Sequence, residues 1–146
     1  MRIKPPHIAL LLLLLSWLAN RMFPQFKIIN QPINRAGIII FLIGIGLMAW
    51  AFYLFKKNRT PIIPGQMPKF MVIEGPYKFT RNPMYLGVTT ALLGFSVYIG
   101  NLFSFLSPLL FFLIMNFVYV PFEERLMEKI FGKKYLVYKK KIRRWI

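Results

Sequence analysis

The chain has no cysteine and no aspartate, one histidine and only four acidic residues, all glutamates, in 146 positions. Each scarcity excludes something. Without cysteine there are no disulfides, no thiolate nucleophile and no cysteine-based metal site. A lone histidine, His7, with no carboxylate near it in sequence, is a poor metal ligand or triad member, and its place at the start of the first apolar run suits interfacial packing. With so few ligands of any kind, no metal site is expected, and nucleophilic catalysis has few residues to draw on. No glycine–lysine phosphate loop is present. The long apolar runs hold no acidic residue, which disfavours a proton-coupled carrier with a central carboxylate.

What is abundant is apolar sequence. Apolar residues make up 57% of the chain, above the half or so of an ordinary soluble domain. Residues 36–55 carry no charge over 20 positions, and 82–122 carry none over 41. A spanning helix needs roughly 20 residues, so the second run is long enough to cross twice, with Gly100-Asn101 as the turn. A third run extends from Ile8 to Phe23. The expected fold is therefore all-α: a single integral membrane domain over 1–146, with four transmembrane helices at about 6–23, 36–55, 84–100 and 102–121. The first run also resembles a secretory signal, but no small-x-small cleavage site precedes Asn20-Arg21. Its removal would leave the orientation of the other three spans unchanged.

The net charge of +16 invites a nucleic-acid reading, and the placement of the charges argues against it. With the N-terminus inside, 17 of the 20 basic residues fall on the inner side, and only Arg21, Lys27 and Arg35 on the outer. That is a strong positive-inside bias. The partner implied is anionic membrane lipid, at about 1 kcal/mol for each basic residue near the surface. No nucleic-acid motif accompanies the charge.

Two features stand apart from this membrane background. The stretch from Thr60 to Gly87 is long, rich in Gly, Pro, Tyr, Arg and Asn, and too aromatic for a tether. Loops of this length without regular structure are functional or disordered, and this one reads as a folded site. Beyond the last apolar run comes Val120-Pro121-Phe122-Glu123-Glu124-Arg125. Proline cannot donate the helical hydrogen bond and bends a helix, so span four is expected to end there and the next turn to swing both carboxylates toward the loop. Two adjacent carboxylates repel unless a positive group meets them. Arg125 is the nearest cation in sequence, and a cationic ligand would suit the other carboxylate. Glu128 is expected to pair within its own helix, with Arg125 as a partner, and Glu74 to lie at a surface turn. The tail, 128–146, alternates basic with aromatic and aliphatic residues, the pattern of a helix lying in the membrane interface. Gly44-Ile45-Gly46 in span two is either a helix-packing notch or a place for close approach of a ligand.

The string Gly75-Pro76-Tyr77-Lys78-Phe79-Thr80-Arg81-Asn82-Pro83-Met84-Tyr85-Leu86-Gly87, followed by Glu123-Glu124 and by Phe131-Gly132-Lys133-Lys134-Tyr135-Leu136-Val137-Tyr138, resembles the isoprenylcysteine carboxyl methyltransferase and phospholipid methyltransferase superfamily. The resemblance covers about 60–146 and includes the Arg144-Trp145-Ile146 finish of bacterial members. It implies a membrane enzyme that uses S-adenosylmethionine, with a cofactor pocket closed by the cytoplasmic loop and the interfacial C-terminal helix, in a bacterial inner membrane. The lipophilic substrate, a prenylated or lipid acceptor, would come in sideways from the bilayer and be O- or N-methylated.

Carried over residue by residue, Lys69, Phe70, Met71 and Val72 would line the cofactor with backbone groups. Tyr77 and the Asn82-Pro83-Met84-Tyr85 turn would hold its adenosyl and methionyl parts. Arg81 or loop N–H groups would answer its carboxylate, and Glu123 would be the cofactor-contacting glutamate. Glu124 and Tyr119 are the candidates for handling an acceptor's proton. Two departures bear on the chemistry. The family's histidine after the arginine is Asn82, which removes a titratable group. The arginine that faces the substrate carboxylate in prenylcysteine enzymes is Tyr119, which argues against that acceptor, whereas the Gly44-Ile45-Gly46 notch is similar to the glycine motif of phospholipid N-methyltransferases. The alternative is a membrane scaffold that keeps the fold without turnover.

Overall fold

The computed structural model describes residues 4–61 and 67–146, so Arg2 of the basic N-terminus and positions 62–66 of the loop lie outside the described residues. The described residues are helical and irregular, with no β-strand among them beyond one isolated bridge between Lys27 and Asn101. Six helices follow in order: α1 (Pro5–Met22), α2 (Ala36–Lys57), α3 (Pro83–Ile99), α4 (Leu106–Ile114), α5 (Val120–Phe131) and α6 (Lys133–Lys141). Prolines occupy the first turns of α1 and α3, where the missing N–H costs nothing. Two stretches are long and apolar enough to cross a bilayer, Ile33–Lys57 and Leu102–Phe131. The 17 residues of α3 reach about 26 Å at 1.5 Å per residue.

Span four does not end at Pro121. Helix continues from Leu102 to Phe131, and the absent proline N–H is accommodated by a single π-turn, Met115–Tyr119, between α4 and α5. Such wide turns recur inside helices at functional sites. Here the turn carries Asn116 and Tyr119.

The helix pair α2/α3 is held by glycine. Gly37 and Gly44 of α2 lie against Gly94 and Gly87 of α3, in antiparallel register. A Cβ on Gly44 would stand 2.6 Å from the Gly87 carbonyl oxygen and 2.8 Å from the Ala91 Cα, all rigid backbone. Gly46 faces open space. The Gly-Ile-Gly notch is therefore half packing device and half outward surface. Gly44→Ala is expected to destabilise by about 1–3 kcal/mol through overpacking. Gly46→Ala gains helix propensity and is expected to be neutral or stabilising by up to about 1 kcal/mol. Thermal unfolding of the two variants in detergent separates them.

At the end remote from the loop, Gly100 closes α3 in a left-handed conformation, φ +73°, and its carbonyl accepts from the Ile28 and Ile29 amides at 2.7 and 3.1 Å. Asn101 donates to the Phe23 carbonyl at 2.8 Å and accepts from the Phe103 amide. The expected Gly100-Asn101 turn is there, clamped to the short connection between α1 and α2. Just inside it, the hydroxyls of Ser16, Ser96, Ser104 and Ser107 bond to one another or to backbone carbonyls, fully buried. Such bonds tie helices together where lipid offers polar groups nothing. The core centres on Leu12, Leu92, Phe111, Met115 and Tyr119. Outward faces carry large apolar side chains, among them Leu10, Leu14, Ile39, Leu42, Leu109 and Phe117, a surface too apolar for water.

Candidate functional site

The loop folds back on the inner end of α2. Val72 and Tyr77 are buried against Ala51 and Leu54, with Phe55 and Met84 beside them. Gly75, at φ +59°, lets the chain turn within 3.2 Å of the Trp50 ring for any Cβ placed there. Thr60 donates to the Phe70 carbonyl at 3.3 Å, and Asn58 to Glu74 at 3.0 Å. Glu74 also faces Lys57 at 3.9 Å, as suits an exposed turn. Lys69 and Phe70 are exposed and Met71 half-buried. The 3₁₀ turn Gly75–Lys78 then leads through Thr80 and Arg81 to Asn82 and Pro83 at the start of α3.

The adjacent glutamates meet different partners. Glu123 accepts a hydrogen bond from the Tyr85 hydroxyl at 2.6 Å. Among the described residues it faces no cation. Tyr85 in turn packs against the cluster that holds Tyr119. Glu124 is buried and surrounded by positive charge. Arg144 meets it with two nitrogens at 2.8 and 3.1 Å, Arg81 at 3.1 Å and Lys139 at 3.7 Å. Its hydrogen bond raises the Arg144 guanidinium pKa above its ordinary value. Arg125, expected as the neutralising cation, is exposed instead. Glu128 reaches past it to Lys139 at 2.5 Å, eleven residues on. The reason is the break at Gly132, φ +50°, which folds α6 back against α5 and brings the tail's cations over its carboxylates.

The tail is more than an interfacial helix. After α6 the chain runs extended beside the loop. The Arg81 amide donates to the Arg143 carbonyl at 3.1 Å, and Thr80 and Asn82 donate to the Arg144 carbonyl at 3.1 and 2.9 Å. From the π-turn, Asn116 accepts from the Trp145 indole at 3.0 Å and from Arg144 at 3.4 Å, and the Trp145 ring lies 4.8 Å from that of Phe112. In α6, Tyr138 donates to the Tyr77 carbonyl at 2.7 Å. Burial raises the pKa of both phenols well above the usual tyrosine value, so they remain neutral donors at any physiological pH.

Loop, π-turn, α5 and tail thus converge at one end of the helices, the C-terminal end of α2 and the N-terminal end of α3. Of the residues singled out in the sequence, Tyr77 and Met84 share one cluster, and Tyr85, Tyr119 and Glu123 meet at a second. Arg81, Asn82 and Glu124 belong to the ionic knot that holds the tail, and Pro83 is buried at the start of α3. Lys69 and Phe70 stand at the rim. Asn116 and Lys139 complete the assembly without having been singled out, together with Tyr138 and Trp145, which were quoted as part of the tail's resemblance but given no role. Asn116 carried a signal: it is the one amide inside 102–121, and a polar side chain within an apolar helix needs a partner.

The model of the family described as "Phospholipid methyltransferase" matches residues 33–134, most of the chain and all of the segment that holds both glutamates and Tyr85. The chain belongs to the phospholipid methyltransferase family. Family membership marks it as a membrane methyltransferase acting on lipid substrates as a class. A Haemophilus influenzae protein called only "Uncharacterized protein" is 36% identical over 63 residues, which are 43% of this chain and all of that one. The family match ends within α6, so Arg144 and Trp145 lie beyond it.

Proposed function

We propose that the protein transfers the methyl group of S-adenosylmethionine to a lipid acceptor at the inner face of a membrane that it crosses four times. Glu123 is the observation that carries the reading: a carboxylate bonded to one neutral phenol, facing no cation among the described residues, next to a second carboxylate already matched by three. A cationic ligand completes Glu123 and has no use for Glu124. The cofactor's ammonium or ribose diol suits that carboxylate. The faces of Tyr77 and Tyr85 suit its adenine and its sulfonium. The backbone of Lys69, Phe70, Met71 and Val72 forms the remaining side of the pocket. Arg81 is committed to Glu124, so the cofactor's own carboxylate falls to backbone N–H groups of the loop.

Packing supports the reading of four crossings. The antiparallel glycine register keeps α3 alongside α2, and α1 packs into the same core as α3 and α4. The positive-inside bias supports a cytoplasmic loop and tail.

The cofactor supplies an activated methyl group. Held by Glu123, Tyr77 and Tyr85, it would supply that methyl group for in-line displacement by an acceptor oxygen or nitrogen, with S-adenosylhomocysteine leaving and the acceptor proton released. The protein's part is to align the two reactants and keep out water, a gain that positioning alone can supply. Glu124, held by three cations, is a poor proton acceptor, which leaves Tyr119 as the other candidate for handling the proton. With Tyr119 where a carboxylate-facing arginine would stand, a phospholipid amine is favoured over a prenylcysteine carboxylate. The test is transfer of label from S-[methyl-³H]adenosylmethionine to a bacterial lipid extract by purified protein in proteoliposomes. Label in an organic-soluble product is expected. Its absence from protein that still binds S-adenosylhomocysteine would reject the lipid acceptor.

A further inference from the structure

Between the inner ends of α2 and α3 lies an apolar cavity of about 190 Å³, walled by Leu47, Trp50 and Leu86 of the two helices, by Phe79 of the loop and by Trp145 of the tail. The hollow is open on one side, and its apolar walls offer water no hydrogen-bond partner, so it favours apolar guests. It is smaller than the several hundred Å³ that holds a whole small ligand. It fits a section of hydrocarbon chain. Leu47, Trp50 and Leu86 belong to helices whose outward residues are mostly apolar, with the exposed Lys56 and Lys57 only in the last turn of α2, so the hollow lies where the acyl region of a bilayer meets its headgroups.

Trp145, like Phe79 of the loop, comes from outside the spanning helices. It is held by a latch of five hydrogen bonds on three neighbouring residues: Arg81 N–H to Arg143, Thr80 and Asn82 to the Arg144 carbonyl, and the Arg144 and Trp145 side chains to Asn116. The Arg144–Glu124 ion pair fastens the same segment to α5. Asn82 has a defined task here: its amide holds the tail carbonyl from beside the Arg81–Glu124 pair.

We propose that Trp145 is the specificity-determining wall of this cavity, that the cavity holds one hydrocarbon chain of the lipid acceptor, and that Asn82 and Asn116 position Trp145 through the latch. The inference rests on the lipid methyltransferase reading for its consequence, the selection of acceptors by chain. Chain occupancy itself is measured independently. Loss of the latch frees Trp145 and widens the cavity, while Tyr85 and Glu123, which make none of the latch bonds, keep their geometry.

The chain has three tryptophans, so the double substitution Trp17→Phe, Trp50→Phe leaves Trp145 as the sole indole. This protein is reconstituted in dioleoylphosphatidylcholine vesicles and in vesicles of the same lipid dibrominated on its acyl chains. Trp145 emission is expected to be largely lost in the brominated vesicles and shielded from aqueous acrylamide. Adding Asn82→Ala is expected to restore emission and expose the indole to acrylamide. S-adenosylhomocysteine binding is measured on the same samples. Full emission in brominated lipid, with the cofactor product still bound, would overturn the chain site alone. Quenching without cofactor binding would overturn the methyltransferase reading and leave the chain site standing. Quenching unchanged by Asn82→Ala would overturn the latch. Where the product binds, Trp145→Ala is expected to broaden the chain lengths found among methylated lipids while cofactor affinity holds. An unchanged chain distribution would remove Trp145 as the selecting wall.

Discussion

Glu124→Ala is expected to cost about 3–5 kcal/mol of stability, the penalty for removing one partner from a buried ion pair. Most of that sits on Arg81, whose side chain is only 9% exposed. Its Nη1 lies 3.1 Å from the carboxylate, and among the described residues neither Nε nor Nη1 has a hydrogen-bond partner, so charge contact with Glu124, beside a hydrogen bond with the Tyr135 phenol, holds it. Arg144 and Lys139 are each about a third exposed and contribute less, because water can replace the carboxylate for them. For a chain of this length such a loss lowers the unfolding midpoint by on the order of 10 °C. Arg125→Ala, at an exposed site on the same helix, is expected to stay within about 0.5 kcal/mol. Thermal scans of both variants in one detergent give the comparison. Equal midpoints would mean that Glu124 does not organise the inner end of the molecule.

Glu123→Gln should do the reverse, leaving the fold intact and the site inactive. Glutamine keeps an oxygen to accept the Tyr85 hydroxyl, now 2.6 Å from the carboxylate, but has no charge. Hydrogen bonds to charged groups are worth about 1.5–3 kcal/mol, so affinity for a cationic ligand should fall about 10- to 150-fold. Tyr85→Phe removes the phenol that orients the carboxylate. Its effect should be smaller, near the 1 kcal/mol of a neutral hydrogen bond. Titration calorimetry with S-adenosylhomocysteine, together with a thermal scan of each variant, measures both quantities. A Glu123→Gln protein that binds as tightly as the parent would remove this residue from the pocket.

Helices were legible wherever composition alone decides them. The uncharged runs at 36–55 and 82–122 gave α2 and α3 to within a few residues and the start of the helix after them, and Gly100-Asn101 marked the turn because only glycine adopts that left-handed cap freely. Pro121 misled, since the lost N–H is a local fact and its repair by a π-turn depends on neighbours. The Glu123-Glu124 pair was legible as a place needing positive charge. Which cation came was not, because Arg81, Lys139 and Arg144 are brought to Glu124 by the backward fold at Gly132, a contact of long sequence separation. Arg125 is the nearest in sequence and points away. The same holds for Glu128 and Lys139. Trp145 and Asn116 meet across 29 positions, and no periodicity encodes such a pairing. The split of Gly44 from Gly46 required knowing which face of α2 meets α3.

The most direct measurement is calorimetric binding of S-adenosylhomocysteine to the detergent-purified protein, with Glu123→Ala and Tyr85→Ala in parallel. Micromolar binding by the parent, lost in the first variant and weakened in the second, is the expected result. No binding by protein that unfolds cooperatively on heating would contradict the cofactor site and favour a membrane scaffold that keeps the family's fold.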